Sequence, residues 1–342
     1  MSHAVVLATV LAAPQQAPEP LEGFLRTEMR LGRSDFNALT SGAPVVRRLR
    51  TADNREIAFV GIVRIETDQG EFRRRLDEID PLLRIPEFSA FGRIEDPADA
   101  SLRGLVLPRQ DLEKLATCRP AACDVKLPRD AMERAAGLDA SAPEYHRRAL
   151  ELFRDELEAY LAAYAARGAD ALMVYADKPA PASTRTALAY LARQRPSLED
   201  LGVGAARDGD GPRPGAGSSD GAGDARARPA SRLFWTIGES GAQPVTQIDE
   251  LLVEGRSSAA GPVTVATIRQ LYASHYYEGQ LTRLILFPPR PGDERRGAWL
   301  VYFDRSLFDG EVGGLRRAYV LNRFEHAVTS RLRWYKTILE ER

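Results

Sequence analysis

From Leu233 onward the chain offers a succession of extended segments and then one long amphipathic helix, and few folds accommodate both. The extended candidates are Leu233–Ile237, Val245–Val253, Val263–Phe287 and Ala298–Phe303, rich in β-branched and aromatic residues. Within Val263–Phe287 the odd positions carry Leu271, Ala273, His275, Tyr277, Leu281, Ile285 and Phe287, broken by Arg283, and the even positions carry Gln270, Ser274, Glu278, Gln280 and Thr282, with Tyr272, Tyr276 and Leu284 blurring the contrast. That period of two predicts strands with one face toward a core. The closing helix has Leu321, Phe324, Val328, Leu332, Tyr335 and Leu339 on one face and arginines on the other. Such a stripe is stable only against an apolar surface. The expectation is an α+β fold in which a mostly antiparallel sheet is wrapped on the long C-terminal helix.

The first half is more mixed. Leu21–Leu39 reads as a short helix, and Pro44–Ile65 as a hairpin turning at Thr51–Asn54, with an outgoing strand apolar on both faces. Thr67 or Asp68 can cap a helix carrying Phe72, Leu76 and Ile79, which Pro81 should end or kink. Glu87–Ile94 reads as a strand, and Asp124–Leu127 as extended between short helices opened by Pro108 and Pro128. Ser141-Ala142-Pro143-Glu144 has the form of a capping box. The helix after it aligns Leu150, Phe153, Leu157, Tyr160, Leu161 and Tyr164 until Gly168 stops it. A short strand at Leu172–Tyr175 and a helix at Arg185–Arg195 follow. Between Gly202 and Ala230 almost every residue is Gly, Ala, Asp, Arg, Pro or Ser, so the segment cannot bury enough surface to offset its ordering entropy. The expected divisions are a signal sequence at 1–13, an N-terminal α+β part at 21–201 with a helical region at 96–200, a flexible loop at 202–230, and a strand-rich part at 231–342.

The order of elements resembles the helix-grip plan of START and Bet v1-like proteins. Ile62-Val63-Arg64-Ile65-Glu66-Thr67-Asp68-Gln69-Gly70-Glu71-Phe72 is similar to the opening strand-to-helix step, and Trp299 to the terminus is similar to the closing strand and helix. The resemblance implies a cavity between sheet and C-terminal helix, with the helical region present as an insertion. Gln270–Tyr277 and Asp304–Gly310 also resemble pieces of uncharacterised bacterial exported proteins, and no activity comes with that likeness.

Export has its own signal. Ala4–Ala13 is a nearly unbroken apolar run followed by Pro14-Gln15-Gln16-Ala17-Pro18-Glu19-Pro20. A helix of that length spans about 15 Å, half the roughly 30 Å of a bilayer core, and is too short for an anchor. The pattern predicts a secretory signal, although His3 and the α-amino group stand in for the usual basic flank unless the start lies upstream. A buried N-terminal strand or helix turn is the other reading. No later run is long enough for a membrane span, and a net charge of −1 leaves no footprint for nucleic acid. The two cysteines, Cys118 and Cys123, flank Arg119-Pro120-Ala121-Ala122. In a periplasmic or extracellular setting they should form a local disulfide, with free thiols and a metal or redox pair as the alternatives.

No catalytic, cofactor or metal motif stands out, and no cofactor is expected. The aromatic residues on the expected inward face, His275, Tyr277, Trp299 and Phe303, are the candidates for binding an apolar small molecule. Protein partners are left open. An envelope protein acting through its surface is a second reading. A hydrolase- or cyclase-like enzyme using His275 with Asp304 or Asp309 is a third.

Overall fold

In the computed structural model, which describes residues 19–98, 100, 102–206, 231–239, 243–289 and 297–341, one antiparallel sheet organises everything else. It draws on both halves of the chain. The N-terminal half supplies β1 (Val45–Arg48), β2 (Glu56–Ile65) and β3 (Phe88–Ile94). A two-stranded ribbon, β4 (Val174–Tyr175) with β5 (Ala182–Ser183), stands apart from the sheet, and β6 (Val203–Ala206) joins it. The C-terminal half supplies β7 (Ser231–Glu239), β8 (Pro244–Ser258), β9 (Gly261–Ala273), β10 (Tyr277–Phe287) and β11 (Ala298–Phe308). The order is β1-β2-β11-β10-β9-β8-β7-β3, with β6 on β8. The two halves therefore share strand pairs, β2 with β11 and β3 with β7.

Both faces are covered. On one lies the terminal helix, which with the two short helices after β2 is numbered by chain order: α3 (Gln69–Glu78), α4 (Asp80–Leu83) and α9 (Gly314–Glu340). Val328, Leu332, Tyr335, Ile338 and Leu339 of α9 pack there on Phe59, Val63, Leu284 and Leu300. Gly61 marks the closest approach, because a Cβ at that position would run into Leu332 Cδ1. The other face is shared. Helices α1 (Glu19–Thr27) and α2 (Arg33–Thr40) cover Val60, Val265, Ile285 and Val301. The insertion, with α5 (Arg109–Leu115), α6 (Arg129–Ala136), α7 (Tyr145–Arg167) and α8 (Thr184–Ala192), covers the rest, mainly through Trp235, Ile248, Leu271 and Tyr272. Among the described residues no helix is long and apolar enough to cross a membrane.

Several local expectations are corrected. The helix expected over Leu21–Leu39 is two helices, broken at Arg30, whose φ is +52°, and restarted at the N-cap Gly32. The capping box at Ser141 does not form. Ser141 bonds Asp139 instead, and α7 begins only at Tyr145. The extended segment 263–287 is a hairpin, turned at Ser274-His275-Tyr276 with Tyr276 at φ +63°. The first residues of the low-complexity segment, Val203–Ala206, are strand β6, held on β8. Its remainder, and the signal sequence expected at 1–13, lie outside the described residues. Cys118 and Cys123 are disulfide-bonded, with Cα atoms 4.6 Å apart, in the turn between α5 and α6.

Candidate functional site

Strand β8 places chemistry on both faces of the sheet, because successive side chains of a strand point opposite ways. Gln247, Asp249 and Leu251 face α9. There they line a cleft of about 60 Å³ with Gln280 and Thr282 of β10, Tyr302 of β11, and Arg331 and Tyr335 of α9. Leu76 of α3, Leu82 and Leu83 of α4, and Ile79 between the two helices form its apolar wall. A second hollow of about 50 Å³ adjoins it through Phe88, Gln247, Gln280 and Arg331, and reaches Asp304, Arg323 and Tyr277.

The polar groups of the cleft and the adjoining hollow fall into two sets. Asp304 is fully satisfied. It accepts hydrogen bonds from Tyr302 Oη at 3.0 Å, Ser306 Oγ at 3.1 Å, Gln280 Nε2 at 3.2 Å and Thr282 Oγ1 at 3.4 Å. Arg331 lies 3.6 Å from Asp304 and donates to Tyr302 Oη at 3.1 Å. Burial works against the Arg331 charge, but Tyr302 and Asp304 outweigh it and hold the guanidinium above its ordinary pKa. Asp249 is the opposite case. It is 7 % exposed, and its carboxyl has no hydrogen-bond partner among the described residues. Burial pushes its pKa up to about 8, although nearby Arg331 pulls the other way. At neutral pH the group is therefore a neutral acid, able both to donate and to accept.

The residues expected from sequence are dispersed. Tyr277 reaches the hollow that adjoins the cleft, packed on Phe308 at 5.0 Å between ring centroids. Trp299 and Phe303 lie on the other face beneath α1 and α2, Trp299 under the Arg64 guanidinium and Phe303 against Phe24. His275 sits in the hairpin turn, its Nδ1 2.8 Å from the Asp124 carbonyl and its Nε2 2.8 Å from Asp111 Oδ2. A carbonyl only accepts, so Nδ1 carries the proton there. Close by, Lys126 is buried between Asp177 and Asp309, each at 3.3 Å, over the Tyr175 ring. These pairs tie the insertion to the sheet. Asp304 and Asp309, the carboxylates expected to work with His275, are dispersed as well, as is their neighbour Arg305. Asp304 faces α9, Arg305 pairs with buried Glu56 on the other face, and Asp309 binds Lys126 and Lys178.

Asp249 and Arg331 escaped the sequence reading. Arg331 is three residues after Val328 and four before Tyr335, hence on the inward stripe. The expectation that the arginines of α9 all lie on its outer face is corrected there. Asp249, flanked by Ile248 and by Glu250-Leu251 in a strand, was the corresponding signal in the sheet.

The fold defines an α+β protein with a large antiparallel sheet and a long C-terminal helix. Compared with protein-family models, curated proteins and solved structures, the chain matches none.

Proposed function

We propose that the cleft between the sheet and α9 binds an uncharged small molecule whose polar head meets Asp249 and whose apolar body lies along α3 and α4. The observation that carries this reading is the unpartnered Asp249 carboxyl. A buried polar group without a partner costs free energy, and a bound head group would recover it. A cationic head would face Arg331, and an anionic head would face Asp304, so a neutral head with a hydroxyl, amide or carbonyl suits the site. A volume of about 60 Å³ holds several waters, at roughly 10–15 Å³ each by this measure, or a head group with a few carbons. A longer body requires α3 and α4 to move outward.

The same reading takes the sheet and α9 as a helix-grip-like frame, and the chain as an exported carrier or binding protein. The helix lying across the sheet and the Cys118–Cys123 bond are what support it. Native mass spectrometry of protein purified from its host compartment tests the binding. The expected result is a bound small molecule that is absent from Ile268→Trp, which fills the cleft, and that leaves as pH rises through about 8 with Asp249 ionisation. Protein that is ligand-free at every pH, or a bound mass indifferent to both changes, defeats the reading.

A second reading rests on two carboxyl groups, Asp249 in this cleft and Asp304 in the hollow that adjoins it. Asp249 is held neutral while Asp304 accepts hydrogen bonds beside Arg331, an arrangement suited to an acid–base pair. Turnover of a bound molecule, lost in Asp249→Asn with binding retained, would favour the enzyme.

A further inference from the structure

One residue along β8 from Asp249, Glu250 points to the other side of the sheet and into a separate and much larger space. This cavity, of about 420 Å³, lies between the C-terminal end of α7, residues 168–172, and strands β7 to β9. Its walls are apolar: Leu172, Leu188, Leu233, Leu252 and Leu271. Its polar floor is a single cluster. Glu250 is 5 % exposed, and its Oε2 accepts from Tyr164 Oη at 2.8 Å and from Arg269 Nε at 3.0 Å. Arg269 Nη2 reaches the same oxygen and also donates to Tyr164 Oη at 3.1 Å. All three residues line the cavity. Glu250 Oε1 and Arg269 Nη1 have no hydrogen-bond partner among the described residues, so the cluster keeps one acceptor and one donor unused.

Volume, walls and floor match the usual build of a small-molecule site, roughly 300–1,000 Å³, mostly apolar, with a few convergent polar groups. Charge then selects the ligand. Glu250 and Arg269 neutralise each other, so an anionic head would meet the carboxylate and a cationic head the guanidinium, and either would give up its own hydration. A neutral hydroxyl meets neither penalty. It can donate to Oε1 or accept from Nη1. We infer that this cavity is a second binding site, taking an uncharged amphiphile with a hydroxyl head and an alkyl or alicyclic body. The site is distinct from the cleft under α9 and independent of the reading given for it.

Titration of the whole protein with 1-octanol, octanoate and octylamine, followed by ligand-observed NMR, tests this. Octanol is expected to bind at least about tenfold more tightly than either charged analogue, a difference of about 1.4 kcal/mol. Leu252→Trp and Ala165→Phe, which fill the cavity from two different elements, should each remove octanol binding while circular dichroism shows an unchanged fold. Ile268→Trp, on the α9 side, should leave octanol binding intact. Binding that survives both filling variants, that is lost only in Ile268→Trp, or that is as tight for octanoate as for octanol, overturns the inference, as does absence of octanol binding altogether.

Discussion

Asp249 and Glu250 are neighbours on one strand, equally buried, and the two faces of the sheet treat them in opposite ways. Toward α9, Asp249 is left without a hydrogen-bond partner, and desolvation makes it a neutral acid with a pKa of about 8. Toward the helical insertion, Glu250 is gripped by Arg269 and Tyr164. Burial alone raises a carboxyl pKa, whereas burial with a cation and a hydroxyl is compatible with charge. The first arrangement carries a standing cost to the fold and the second largely cancels its own. Uncompensated cost in a cleft is what points to function there, while the second face draws attention by its volume instead.

The largest effect that could break this contrast is the stability of Asp249→Asn. In the unfolded chain the carboxyl titrates near its ordinary value of 3.8, and in the folded chain near 8. Between those values the folded state holds a proton that the unfolded state has lost, so the Asp249 contribution to stability falls as pH rises from about 4 to about 8 and is flat above. Asparagine has no such dependence. Asp249→Asn should therefore be more stable than the parent by several kcal/mol at pH 8.5, with the gain vanishing near pH 4. Urea unfolding of both proteins across that range measures it. A gain that does not grow with pH would mean the carboxyl is hydrated or paired.

The mirror experiment has the opposite sign. Glu250→Gln removes the anionic partner of Arg269 at the floor of the large cavity and should cost about 3 kcal/mol, at the lower end for a broken buried pair because Arg269 is partly exposed. Replacing Glu250 and Arg269 together by Gln and Met should recover most of that loss. If the double variant is no more stable than the single one, the pair is not what holds this floor.

How much of this contrast was legible in the sequence depended on period. The sheet, the terminal helix and the α3 cap could be read, because alternation and stripes are properties of neighbouring residues. The turn at Ser274-His275-Tyr276 could not. It contains neither Gly nor Pro, and is fixed from outside by Lys126 N–H on the Ser274 carbonyl and Asp309 N–H on the Tyr276 carbonyl. Missing it merged β9 and β10 and assigned their inward faces as one. The register shift between Ile248 and Asp249, opposite Tyr272 and Gln270, adds to this, since it lets Leu271 and Tyr272 both face the insertion. With two phase changes in one segment, His275 could not be sorted onto a face by counting. The site residues that emerged, Asp249 and Arg331, are polar exceptions on apolar stripes. They become visible only once the stripe is known to be covered.

Two smaller perturbations sharpen the comparison because each should loosen one face only. The disulfide belongs to the insertion. It closes the turn whose Asp124 carbonyl accepts from His275 and whose Cys123 N–H bonds the Asp177 carbonyl. Cys118→Ser with Cys123→Ser should cost about 2 kcal/mol by the loop-entropy estimate. Hydrogen exchange should quicken in α5 and the 118–126 turn, with α9 unaffected. Equal loosening of both faces would show the sheet to be a less effective partition than the separate clusters of side chains imply.

The smallest effect concerns the wall of the α9 cleft. Asp68 caps α3, its Oδ1 accepting from Glu71 N–H at 2.8 Å, and the helix it caps carries Leu76 to the cleft and Phe72 to the core beneath it. Asp68→Ala should cost about 1 kcal/mol, the usual value of a lost N-cap. Its readout is specific, because α3 must move outward if a longer ligand body is to enter between it and α9. Loss of the cap weakens the closed position, so exchange in residues 69–78 should rise and a ligand of the cleft should bind and leave faster. Octanol binding to the cavity on the other face should not change. A faster exchange at α3 accompanied by altered octanol binding would mean that the two faces communicate through β8, and Asp249 and Glu250 would then have to be treated as one coupled site.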